Sequence, residues 1–215
     1  MKNSHAQAAA MTVLAAVLAL TACSKKSLVD VQPARKTSPG EEYVVQRSER
    51  KAPRWTSGPE FELDKKKGTT YILVTAEVYG PGDRRAAERL AESELRRKIA
   101  EGVKTLVQSQ FQDALAAAGG EYTERFRSYV VTVAENVPVV GLVVTGTYWE
   151  KIQRVVSKEQ VEYVYRVYKR GRMPYDHYTA ARDRAWQEVL ERRAAESERE
   201  QLRALVEEMK AREER

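Results

Sequence analysis

Thr69-Thr70-Tyr71-Ile72-Leu73-Val74-Thr75-Ala76-Glu77-Val78-Tyr79, then Gly80-Pro81-Gly82-Asp83, then the long run from Arg84 to Ala118: this stretch decides the fold. Its first part is β-branched and aromatic, and Ile72, Val74, Ala76 and Val78 share one face at a period of two, the pattern of a half-buried strand. Gly80-Pro81-Gly82 breaks the strand, and Asp83 stands where its carboxylate can accept a bond from an orphan backbone N–H of the next helix. From Arg84 to Ala118 the apolar residues Ala87, Leu90, Ala91, Leu95, Ile99, Val103, Leu106 and Val107 recur at three and four. They form one face of a long amphipathic helix, while Arg84, Arg85, Glu88, Arg89, Glu92, Arg96 and Arg97 lie mostly elsewhere. Gly119-Gly120 stops it.

Working outward, a second helix is expected from Glu121 to about Glu135, with Phe126, Tyr129, Val130 and Val133 as its buried stripe and Asn136 and Pro138 as its end. Val139 to Ile152 and Val161 to Lys169 read as an antiparallel hairpin around the charged turn Ser157-Lys158-Glu159-Gln160. The order strand, helix, helix, strand, strand predicts an α+β fold, a small antiparallel sheet covered by the long helix. Past Pro174 there is no Gly or Pro, and pairs such as Glu188 with Arg192 and Glu208 with Arg212 stand at helical spacing. Residues 174–215 are therefore expected as a long charged helix, single or broken into two. Its second half offers only Leu202, Leu205, Val206 and Met209, too few for a sustained heptad seam, so it is expected to add helix without core and to act as a spacer or partner helix.

The beginning of the chain has a different logic. Lys2, the apolar run Ala8 to Leu20, and the small residues before Cys23 are the three parts of a secretory signal, and Leu20-Thr21-Ala22-Cys23 has the form of a lipobox. The apolar run falls short of the roughly 18 residues of a spanning helix. Residues 1–22 are then a signal peptide, and Cys23 the first mature residue. The lipoprotein signals it resembles imply diacylglycerol on the Cys23 sulfur and an N-acyl chain, and more than one chain is what stable anchoring needs. Ser24, in place of Asp, resembles the sorting residue for outer-membrane delivery. Residues 23–51 are polar, with Pro33, Pro39 and Gly40, and read as a flexible tether with a root-mean-square reach of roughly 30 Å; only Glu41 to Val45 suggests a short strand. Residues 52–173 make the folded domain.

With its single cysteine in the lipobox, the mature chain has no disulfide and no thiolate metal site. The formal charge of +6, reduced by one with Lys2, favours anionic neighbours such as head groups or acidic polymers. Export excludes nucleic acid as a partner.

Several of these features occur together in one family. The lipobox, Pro53-Arg54-Trp55 before the domain, a strand from Tyr71, the pattern Ala86-Ala87-x-x-Leu90-Ala91-x-x-x-Leu95-Arg96, and Gly146 and Trp149 ahead of a tyrosine-rich strand resemble the Lpp-twenty type of small bacterial lipoprotein over residues 52 to 170. The resemblance implies a non-enzymatic outer-membrane lipoprotein with a small sheet and a packed long helix, in some members a flagellum-associated envelope component. The charged tail is additional to that domain.

Catalytic chemistry has little to draw on. His177 is the one mature histidine, placed at a helix start beside Asp176, a candidate N-cap, and no G-x-S-x-G nucleophile motif occurs. Gly80-Pro81-Gly82 lacks the G-x-x-x-x-G-K-[ST] pattern of a phosphate loop. One surface has ligand-binding character: Tyr163, Tyr165 and Tyr168 interleaved with Arg166 and running into Lys169, Arg170 and Arg172, a mixture suited to an anionic glycan or lipid. The competing expectation is that Val161, Tyr163, Tyr165 and Val167 face the helix and the basic cluster is solvated. Two functions follow: a structural or assembly lipoprotein that self-associates or docks on an envelope protein, and an envelope lipoprotein that binds an anionic ligand through the basic tyrosine strand.

Overall fold

The computed structural model describes residues 29–30, 38–80, 82–118 and 124–214; Cys23, Ser24 and the Gly119-Gly120 stop lie outside the described residues. Strands β1 (Val29–Asp30), β2 (Glu42–Arg47), β3 (Phe61–Lys66), β4 (Thr69–Gly80), β5 (Val143–Val155) and β6 (Val161–Pro174) form one sheet in the order β1-β2-β5-β6-β4-β3, with every neighbouring pair antiparallel. Helices α1 (Arg84–Ala118), α2 (Glu124–Asn136), α3 (Tyr175–Arg192) and α4 (Glu196–Glu213) complete an α+β fold.

The β4–α1 unit follows from local rules. Ile72, Val74 and Ala76 are buried on one face of β4. Asp83 caps α1, its Oδ1 accepting from the Arg85 N–H at 3.1 Å and its Oδ2 from the Ala86 N–H at 3.2 Å. The buried positions of α1 are Ala87, Ala91, Leu95, Ile99, Val103, Val107 and Phe111, a run in steps of four, and then Ala114 three residues on. With 3.6 residues per turn each step carries the stripe about 40° further around the helix, so one helix serves two layers. Ala87 and Ala91 meet Trp149 and Val167 of the sheet, whereas Phe111 stacks on Trp186 of α3 with ring centroids 6.2 Å apart. Leu90, expected on the stripe, is exposed because it falls off this winding path.

Two expectations are corrected. Residues 42–47 are not tether: β2 pairs with β5 from Glu42↔Arg154 to Arg47↔Glu150, and β1 pairs with β2 in turn. The tail is not a spacer. It folds as α3 and α4, and Leu202, Leu205, Val206 and Met209 are all buried in the main core with α1, α2 and α3. The break between α3 and α4 carries no Gly or Pro. It is held from outside: the Tyr129 hydroxyl of α2 donates to Glu198 at 2.8 Å and lies 3.4 Å from the Arg193 carbonyl. Acidic Glu196 and Glu198 then restart a helix in its first turn, where negative charge is favoured.

β2 is second from one edge of the sheet and β3 forms the other edge, so the chain between them must cross a face of the sheet. Residues 48–60 do so as a strap on the face opposite α1. Ser48 bonds Trp149, a 3-10 turn at Arg54–Ser57 sets Trp55 against Gly146, and Thr75 donates to the Glu60 carbonyl at 2.8 Å.

Candidate functional site

The pleat of β6 divides the basic tyrosine strand. Successive side chains of a strand point to opposite faces, and Gly171 faces Leu95 of α1. Tyr163, Tyr165 and Lys169 therefore share the helix side, while Arg166, Tyr168, Arg170 and Arg172 share the strap side. The expected aromatic and basic residues are divided between two faces; of the competing expectation, Val167 and Tyr165 do pack against Ala87 and Ala91 of α1, whereas Val161 and Tyr163 are exposed.

On the helix side the groups are used internally. The Tyr165 ring meets Trp149 edge-on at 5.7 Å, and Lys169, buried, reaches Glu92 at 3.1 Å. Tyr163 remains partly exposed under the Lys151 ammonium, 4.6 Å from its ring centre.

On the strap side, β4, β5 and β6 build a polar network. Arg166 donates to the Tyr79 hydroxyl at 2.7 Å and to Glu150 at 3.2 Å, and lies 3.5 Å from Glu77. Tyr148, fully buried, donates to Glu150 at 2.8 Å, Tyr168 donates to Glu77 at 3.0 Å, and Arg170 pairs with Glu62. Burial pushes the Tyr148 phenol above its ordinary value, and the Glu150 carboxylate that accepts its proton adds to the shift. Tyr168 is pushed up to about 12, by burial first and by its bond to Glu77 second. Charges so paired are partly neutralised within the sheet.

Arg172 is the exception. It is exposed and lies over the Tyr71 ring, 5.1 Å from the centroid, and no carboxylate among the described residues pairs with it. Beside it opens a cleft of about 290 Å³ whose lining includes Trp55, Tyr71, Gly146, Arg170 and Arg172, with the Asp64 carboxylate and the Lys66 ammonium on its β3 side. The absence of a side chain at Gly146 makes room for the indole: a Cβ there would stand 3.0 Å from the Trp55 ring. An indole face, a phenol and a guanidinium held by stacking are the groups that bind a sugar ring bearing a negative charge. Trp55 and Tyr71 were missing from the sequence-based site because sheet topology, not spacing, brings them to Arg172. The usable signal was a tryptophan ahead of the first strand and a glycine inside a later one, since an interior strand glycine marks close approach of another group.

His177 packs its ring against Gly141, whose φ of 80° and missing side chain leave the space; a Cβ there would be 2.6 Å from Nδ1. Asp176 is not the N-cap of α3. Pro174 occupies that place, and the Asp176 carboxylate accepts from the His177 N–H at 2.9 Å. Among the described residues no group of three His, Cys, Asp or Glu could hold a metal ion, and no helix is long and apolar enough to cross a membrane. The chain matches no family of known proteins, no curated protein and no solved structure.

Proposed function

We propose that this is a lipid-anchored outer-membrane lipoprotein without catalytic activity, a structural or assembly component of the cell envelope of the Lpp-twenty type, flagellum-associated assemblies included. The lipobox Leu20-Thr21-Ala22-Cys23 carries the reading. The fold supports it by where it spends its polar groups: the conspicuous Arg, Glu and Tyr side chains of β4, β5 and β6 bind one another. With α4 buried, docking passes to another surface. Val140, just ahead of β5, and Val143, its first residue, are exposed apolar residues open to a second copy or an envelope protein. Replacing Cys23 with Ala should abolish labelling by a clickable fatty acid and leave the precursor uncleaved, and the parent should fractionate with outer-membrane markers. Unchanged labelling refutes the anchor, and recovery with inner-membrane markers refutes the sorting role of Ser24.

A second reading, binding of an anionic glycan, is favoured by one observation, the stacked and unpaired guanidinium of Arg172 beside Trp55. It moves the ligand from the tyrosine strand to the cleft.

A further inference from the structure

The lipobox places the acyl chains at Cys23, and the first paired residue of the sheet is Val29, six residues later. Val29 stands opposite Arg47 and Asp30 opposite Gln46, whose side-chain amide donates to the Asp30 carboxylate at 3.1 Å. Six residues span at most about 20 Å. With Cys23 acylated, the domain cannot stand as far off the lipid as a tether ending at residue 51 would allow; its β1–β2 edge stays within about 20 Å of the acyl chains.

That edge is where the strap begins. Arg47, the cross-strand partner of Val29, is followed by Arg50, Lys51 and Arg54, all three exposed. None of these three has a carboxylate partner among the described residues, whereas Glu42 and Arg154 of β2 and β5, and Glu150 and Arg166 of β5 and β6, pair across strands. The geometry points to a specific use: we propose that the strap from Arg50 to Arg54 lies on the leaflet that holds the acyl chains and binds the phosphates of its anionic head groups. A link no longer than about 20 Å lets these cations reach the roughly 8 Å over which a charged surface acts at physiological salt. Lipid and basic patch together then fix how the domain faces the membrane, which a lipid anchor alone does not. The inference rests on acylation of Cys23.

Lys51 reports on it directly. The purified lipidated protein is reconstituted in vesicles of phosphatidylcholine alone, or of phosphatidylcholine with phosphatidylglycerol, and its lysines are acetylated with a water-soluble ester and read by mass spectrometry. Lys51 should react at least about fivefold more slowly in the phosphatidylglycerol vesicles, the factor that one surface cation supplies. Lys67, in the β3–β4 turn at the far edge of the sheet, should react alike in both. High salt, or the double variant R50Q/R54Q, should restore the Lys51 rate. Equal rates in the two vesicles, equal slowing of Lys67, or protection that survives the double variant overturns the inference while leaving the anchor in place. Absence of acyl mass on Cys23 overturns the anchor and the inference with it.

Discussion

Glu213 of α4 closes on the guanidinium of Arg182 in α3, a side chain only 2% exposed. Its Oε2 accepts from Arg182 Nη2 at 3.0 Å, and Asp183 at 2.9 Å and the Gln110 carbonyl at 2.9 Å complete the shell. The hydroxyls of Tyr175 and Tyr178 bond the same glutamine, so one node ties α1, α3 and α4 together. Burial works against the charge on Arg182. The Glu213 carboxylate outweighs it and holds the guanidinium above its ordinary value. Removing one member of such a pair strands the other in the interior, at a cost of about 3 to 5 kcal/mol. Arg182→Ala should lose that much in urea unfolding, and Glu213→Ala somewhat less because Asp183 and Gln110 remain. A loss under 1 kcal/mol in both would show the node is solvated.

Truncation after Ala195 should unfold the domain. It removes Leu202, Leu205, Val206 and Met209, each at most 4% exposed, and full burial of such a side chain stabilises by about 1.5 to 3 kcal/mol. Four of them rival the 5 to 15 kcal/mol of a whole domain. Circular dichroism melts of the intact and shortened chains decide it, and an unchanged melting temperature would restore the spacer-helix expectation.

A third prediction uses close backbone approach. A Cβ added at Gly80 would lie 2.4 Å from the Ala87 Cβ and 2.7 Å from its Cα, so strand and helix must separate to admit it. Gly80→Ala should cost about 1 to 3 kcal/mol. At Gly58 the same addition meets ordinary contacts no nearer than 3.6 Å, and Gly58→Ala should leave the melt unchanged. Matching melts for the two variants would mean the β4–α1 junction is looser than its geometry.

What was legible in the sequence was what local rules decide. β4, the Asp83 cap and the span of α1 follow from periodicity, a broken strand and a carboxylate at the right place. β3 was missed because Phe61 and Leu63 are its sole apolar residues and Lys65 and Lys66 guard it, the composition of an edge strand. The stripe of α4 was visible, but the groove that covers it is made by α1 and α2 and has no local signature. The break before α4 depends on Tyr129, which lies far earlier in the chain. The cleft was unreadable for the same reason: Trp55, Tyr71, Gly146 and Arg172 meet only after the β2–β3 strap has crossed the sheet.

The cleft gives the fourth prediction, which separates ligand contacts from structural charges. Arg172→Ala and Trp55→Ala should weaken capture of an acidic glycan by vesicle-bound protein several-fold and shift the melt little, because Arg172 pairs with no carboxylate. Arg166→Ala should do the reverse. It leaves Glu150, 8% exposed, without its cation and lowers stability while glycan capture by the folded fraction persists. Capture insensitive to Arg172 would remove the cleft as a binding site.

The buried phenols set the alkaline limit of the fold. Tyr168 and Tyr175 are each pushed up to about 12 by burial foremost, Tyr175 further by the Glu213 carboxylate, and Tyr148 and Tyr178 are raised as well. In the unfolded chain the same groups ionise near 10.0. Between those values the unfolded state has released protons that the folded state retains, so stability falls as pH rises. The contribution of these tyrosines is complete below about pH 10 and lost progressively toward pH 12. Urea midpoints should be flat up to pH 9 and decline steeply from pH 10, and the phenolate absorbance of the buried tyrosines should appear together with loss of helix. Tyr168→Phe removes one of these groups and should make the decline shallower. A single phenolate transition near 10 with the helix signal intact would show that Tyr148, Tyr168, Tyr175 and Tyr178 are open to water.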